Sequence, residues 1–170
     1  MAAFVVGGLV APLAVVAGCA DAGEPVDGVL EANAVIERVV DGDTVVVRLG
    51  NRSEKVRLIG IDTPESVDPR QPVECFGKEA SARLAELLPP KTSVRLEVDA
   101  EPRDRYDRLL AYVHRASDGA FINVAMVADG FANTLTVPPN VTHRDRFVEA
   151  ERSARSAGIG LWAACPVTAG

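Results

Sequence analysis

Apolar, largely β-branched positions recur in three runs near the start of the chain, Asn33–Val40, Thr44–Leu49 and Glu54–Ile61. The breaks between them are Asp41-Gly42-Asp43 and Gly50-Asn51-Arg52-Ser53. Asp, Asn and Gly supply turn conformations, so the pattern predicts a three-stranded meander. The period then changes. Phe76, Ala80, Leu84 and Leu87 follow helical spacing within Glu74–Leu88, and Pro89-Pro90 ends the run, since proline has no amide hydrogen and its ring clashes with the turn before it. Two more strands are expected at Ser93–Asp99 and Leu109–His114, and two more helices at Ile122–Asp129 and Arg144–Ala157. Five strands and three helices make an α+β chain, mainly β. Such a sheet loses its exposed edges by closing into a barrel, with an open α+β sheet as the competing architecture.

The first twenty residues break this pattern. Met1–Ala20 has no charged side chain, and Phe4–Val16 is apolar apart from Gly7, Gly8 and Pro12. An apolar stretch ending in the small residues Val16-Ala17-Gly18-Cys19 reads as a secretory signal over 1–18. It resembles the bacterial lipobox, in which the residue after the cut is a cysteine that becomes lipidated, here Cys19. An uncleaved membrane anchor is the alternative, because about 20 apolar residues span a bilayer. Residues 19–32 are small, acidic and interrupted by Pro25, as in a flexible tether. The expected domain is then 33–166, on an exported chain held to the membrane by lipid at Cys19 or secreted, and monomeric.

Composition adds two constraints. The chain has 170 residues, 48% of them hydrophobic, which suits one domain with its own core. Its net charge of −6 gives no whole-chain footprint for nucleic acid, but Asp21, Glu24, Asp27 and Glu31 place four of those charges ahead of the domain. The three cysteines form no CxxC pair, which argues against structural zinc. With Cys19 lipidated, Cys75 and Cys165 are the one possible disulfide, closing a loop of about 90 residues worth about 4 to 5 kcal/mol in the chain-entropy model. Two buried free thiols are the alternative.

Four carboxylates fall at two strand ends, Asp41 and Asp43 in Asp-Gly-Asp-Thr and Asp62 and Glu65 in Ile-Asp-Thr-Pro-Glu. Each motif alone makes a turn or a helix cap. A meander that brought them together would crowd like charges, which a hard cation such as Ca²⁺ or Mg²⁺ relieves through oxygen ligands. Arg57 lies inside the third run, where strict alternation puts it on the face of Ile59 and Ile61, opposite Val56 and Leu58. A guanidinium there either snorkels to water or meets an anion. Asp104-Arg105-Tyr106-Asp107-Arg108 combines two arginines with an aromatic ring just before a strand, a set suited to phosphate forks and base stacking, or else a solvated turn with its own charge pairs.

In order, VVDGDTV, VRLIGIDTPE, FGKEAS, DRYDRLLAYV and GIGLW, running from about Asn33 to Cys165, resemble the staphylococcal nuclease family. The resemblance implies an OB-fold barrel of five strands with about three helices, and a Ca²⁺-dependent nuclease that cuts DNA and RNA to leave 3′-phosphates. By position, Arg57, Glu65 and Arg108 match the family's catalytic trio. Asp43, Asp62 and the Thr63 carbonyl match its calcium ligands, with Asp41 as a supporting carboxylate, and Arg105 and Tyr106 match the residues that hold a terminal phosphate. One stretch departs: Ala132–Pro139 has no tyrosine, where the family prototype stacks one on the base. A non-catalytic OB-fold module that binds nucleic acid is the alternative, but it has no need of the trio together with both metal carboxylates.

Overall fold

The computed structural model describes residues 30–66 and 73–165. The expected signal segment, Cys19 and the tether up to residue 29 lie outside them. Leu30, counted in the tether, already donates its amide hydrogen to the Ala116 carbonyl (2.9 Å). Asn33 then clasps Leu96 through both ends of its amide.

Five strands close into the barrel: β1 (Ala34–Val39), β2 (Thr44–Leu49), β3 (Arg52–Leu58), β5 (Ser93–Glu97) and β6 (Leu109–Arg115), in the order β1-β2-β3-β6-β5. Only β3 and β6 run parallel. This is the OB-fold order, and closure leaves no free edge in the barrel. Val45, Val47, Val56, Leu58, Val94 and Val113 point inward, fully buried, alternating along most of their strands with more exposed positions, as a two-residue period requires.

The helices cap this core. In α1 (Gly77–Leu87) Ala80 and Leu84 are buried; in α2 (Ile122–Ala128) Ile122 and Met126 are. α3 (Arg144–Ala157) inserts Phe147, and a single turn, α4 (Leu161–Ala164), makes four helices among the described residues where about three were expected. Among the described residues no helix is long and apolar enough to cross a membrane.

Two expected boundaries differ by three residues, the others by two or fewer. The third strand ends at Leu58 instead of Ile61, because Gly60 turns at φ +84° beneath Phe147, whose ring would lie 2.3 Å from any Cβ placed there. Asn123 holds that turn from below, accepting from the Val113 amide and donating to the carbonyls of Ile59 and Ala111. Ile61 and Asp62 form a separate short strand, β4, paired with β7 (Asn133–Thr134). Ile61 is therefore core, and it does not share a strand face with Arg57. The first helix starts at Gly77 instead of Glu74, since residues 73–76 form a turn in which Phe76 takes φ +71°.

Candidate active site

Strand pairing brings the separated motifs together. The β2–β3 register sets Thr44 opposite Arg57, so Asp43, just ahead of β2, comes beside that arginine. The parallel β3–β6 register sets Arg57 opposite Leu110 and delivers Arg108, just ahead of β6, to the same end of the barrel. The result is a cleft of about 260 Å³ lined by Asp41, Asp43, Arg57, Asp62, Thr63, Pro64, Glu65 and Arg108.

Gly42 makes the closest approach possible. A Cβ on it would stand 2.6 Å from the Thr63 hydroxyl, so only glycine lets the Asp41–Asp43 turn touch the segment after β4. Asp43 Oδ2 then accepts from the Thr63 amide and hydroxyl, each at 3.2 Å, and Oδ1 from the Thr44 hydroxyl at 3.0 Å. Asp41 Oδ1 accepts from the Asp43 amide (3.1 Å).

Arg57 is the hub, with only 13% of its side chain exposed. Its Nη1 donates to the carbonyls of Leu58 (2.7 Å) and Ile61 (2.8 Å). Its Nη2 lies 3.0 Å from both Asp43 Oδ2 and Asp62 Oδ1. The choice between snorkelling and meeting an anion thus resolves as two carboxylates and two carbonyls, which offset the cost of taking the charge out of water. Of its own donors, Nε–H alone finds no acceptor among the described residues.

One guanidinium does not balance the acids around it. Burial, then the neighbouring Asp43, pushes the Asp41 carboxyl above the usual range. Burial also raises Asp62; Arg57 pulls it down, but Asp43, Glu74 and Glu65 push it up, and the net shift is upward. Such carboxylates favour added positive charge. All the donors here are oxygens, which suits a hard cation. Among the described residues no three His, Cys, Asp or Glu side chains are arranged to hold a metal ion by themselves. Asp43, Asp62 and the Thr63 carbonyl would therefore share a cation with water, as a flexible shell of 6 to 8 oxygens around Ca²⁺ allows.

Glu65 sits at the mouth of the cleft, its Oε1 accepting from the Ser66 amide (2.7 Å). Arg108 stands across from it. Asp104 accepts from Arg108 Nε (2.6 Å) and from the amides of Arg108 and Tyr106. Burial would raise the Asp104 carboxyl, but these bonds outweigh it and hold it below the usual range. Among the described residues no protein acceptor takes the terminal nitrogens of Arg108. The turn thus has its own charge pair and leaves the terminal nitrogens of Arg108 open. Arg105 and Tyr106 lie outside the cleft on the same turn. Arg105 donates to the Tyr106 hydroxyl (2.6 Å), and Tyr106 is 65% exposed.

Sequence reasoning missed three features. A second cavity of about 200 Å³ shares Arg57 and Arg108 with the first and is walled by Leu58, Leu110, Leu135 and Val137. Its outer wall is the segment that lacks tyrosine. Asp104 and Glu74 both brace residues of the cleft; a capping Asp four positions before an arginine was a usable signal for the first, whereas Glu74 reaches its partner only through the fold. The disulfide expected between Cys75 and Cys165, by contrast, is present, with Cα atoms 5.8 Å apart, tying the turn before α1 to the end of α4. Cys19 lies outside the described residues.

The family model described as staphylococcal nuclease homologue matches residues 55–164. The chain is similar to a protein named thermonuclease from Staphylococcus intermedius, 39% identical over 128 residues that cover 75% of this chain and 74% of that one. It is similar to another thermonuclease, from Staphylococcus hyicus, at 37% over 74% of this chain and 72% of the relative. Endonuclease YncB of Bacillus subtilis is 35% identical over 76% of this chain and 61% of its own length.

Proposed function

This chain belongs to the staphylococcal nuclease family and is a nuclease, and from that premise we propose that it is a Ca²⁺-dependent phosphodiesterase cutting DNA and RNA to leave 3′-phosphate ends. The observation that carries this reading is the Arg57 Nη2 held between Asp43 and Asp62 in a cleft completed by Glu65 and Arg108.

Asp43, Asp62 and the Thr63 carbonyl hold the cation. When bound, it supplies charge neutralisation at a phosphate oxygen and makes a nearby water more acidic. Glu65 accepts the proton of the attacking water and orients it in line with the departing 5′ oxygen. Arg108, anchored at Nε by Asp104, donates its terminal N–H groups to the phosphate oxygens as charge builds on them. Arg57 is anchored through Nη1 on two carbonyls and through Nη2 on Asp43 and Asp62, which leaves its Nε–H to face the phosphate. Planar, permanently charged forks suit this task better than lysine. Arg105 and Tyr106 hold a terminal phosphate at the rim. The apolar cavity beside Arg57 and Arg108 receives the adjoining nucleoside by contact with Leu135 and Val137, without stacking.

We further propose export, with lipid attached at Cys19, and action as a monomer. Mass spectrometry of the membrane fraction tests the anchor, which requires a mature chain starting at a modified Cys19. For the chemistry, fluorescent oligonucleotides of DNA and RNA are incubated with the protein in Ca²⁺, Mg²⁺ or EDTA and the product ends mapped. The expected result is cutting in Ca²⁺ with 3′-phosphate ends, abolished by EDTA. Cutting in EDTA, or 5′-phosphate products, would overturn this mechanism, and binding without cutting would favour a module that only holds nucleic acid.

A further inference from the structure

The mechanism assigns Glu65 a role but says nothing of what fixes it, and Glu65 stands at the edge of the cleft. Its backbone is gripped by a residue nine positions later. The Glu65 amide donates to Glu74 Oε2 (2.9 Å), and the Glu74 amide donates back to the Glu65 carbonyl (2.8 Å). Gly77, the first residue of α1, presses on the same spot: a Cβ there would lie 2.6 Å from the Glu65 carbonyl oxygen and 2.9 Å from that of Pro64.

The grip is itself tied down on two sides. Cys75, next to Glu74, is bonded to Cys165 at the end of α4. Phe76 takes φ +71°, a conformation that side-chain-bearing residues rarely adopt, and its ring lies 5.1 Å from that of Phe131 just beyond α2. A bulky residue persists at positive φ only where its surroundings over-determine it. Residues 74–77 therefore form a rigid abutment at the carbonyl of Glu65.

We propose that Glu74, braced by the Cys75–Cys165 bridge, is a positioning residue for Glu65: it sets where that carboxylate meets the attacking water, and it contacts neither substrate nor cation. The proposal rests on the reading of Glu65 given above. Loss of the clasp misplaces a group whose contribution depends on position, so turnover falls while substrate binding, carried by the arginines and the cation site, stays.

The test compares steady-state kinetics and thermal melts of the wild type with Glu74→Ala, Glu74→Gln and Glu65→Gln. For Glu74→Ala, kcat is expected to fall about 10- to 100-fold with KM within about twofold. Glu74→Gln keeps an oxygen to accept the Glu65 amide hydrogen and should recover most of that loss. A lowered melting temperature with unchanged kcat, or equal losses in kcat and KM affinity, would overturn the proposal. Glu65→Gln separates the two readings. If it keeps full turnover, the role of Glu65 falls; if it is inactive while Glu74→Ala turns over normally, only the positioning role falls. Should Glu74→Ala fail to fold, the Cys75→Ser, Cys165→Ser double variant, assayed well below its melting temperature, reads the same brace: a drop in kcat at constant KM supports it, and wild-type kcat overturns it.

Discussion

Asp99 and Asp62 both sit where a strand gives out, Asp99 past β5 of the barrel and Asp62 at the end of β4, and their surroundings drive them in opposite directions. Asp99 lies just past β5 and accepts from the Tyr112 hydroxyl (2.7 Å), the Thr142 hydroxyl (2.9 Å) and the amides of Thr142 and Ala100. Burial would raise its carboxyl, yet these bonds win and hold it below the usual range. Asp62 has one cation for a partner, shared with Asp43, and three acids nearby, and its carboxyl is raised. A carboxylate whose lone pairs are filled by fixed donors is a structural strut. One left with more negative charge than the protein neutralises keeps capacity for something from solution, and this difference marks the cleft as the working end of the barrel.

The sharpest way to break that contrast is to spoil the cleft's open fork. Arg108→Lys keeps the charge but loses the planar donors, and turnover in the oligonucleotide assay should fall by about 10² to 10³-fold, with melting temperature little changed. Arg57→Lys should lose as much turnover and stability besides, because two carbonyls and two carboxylates would lose their shared partner. Near-normal turnover in either variant would remove that arginine from the mechanism.

Much of this site is legible in the sequence. Asp43, Asp62 and Arg108 are chemical residues at or next to expected strand ends, Arg57 lies within a strand, and a meander can bring the turns of Asp43 and Asp62 together. What escapes is fixed by contacts far apart in the chain. Residues 54–61 read as one strand because Ile59 and Ile61 continue the apolar pattern. Gly60 ends it only because Phe147, from a helix more than eighty residues later, packs where a side chain would go. The late start of α1 has a similar origin, since Cys75 and Phe76 are held by Cys165 and Phe131. Arg57 posed a choice between water and an anion that local sequence does not resolve, because its partners come from the turn before β2 and from β4.

A smaller effect separates the two aspartates through stability. Carboxyls raised in the folded state, as in Asp41 and Asp62, stabilise the fold at low pH and withdraw that stability as pH rises through their folded values. At neutral pH, without a cation, they are a burden. Calcium at about 100 times its dissociation constant should then add about 2.7 kcal/mol, read as a higher melting temperature than in EDTA. Asp41→Asn should raise the melting temperature in EDTA and shrink the gain from calcium. Identical melts in Ca²⁺ and EDTA would mean that the excess charge has no cation to meet.

Asp99 should show the reverse sign and the smallest change. Its folded carboxyl lies below the unfolded value near 3.8, so its contribution is complete above that value and is lost as pH falls through the folded one. Asp99→Asn keeps an oxygen for one donor but forfeits the charge-assisted bonds to the buried Tyr112 hydroxyl and to Thr142, where the chain turns into α3. The expected cost is about 1 to 2 kcal/mol at pH 7, with the acid limb of the stability curve flattened and kcat and calcium response unchanged. Urea melts across pH 2.5 to 7 measure this directly. A variant that lost calcium-dependent turnover would mean that the strut and the site are one network.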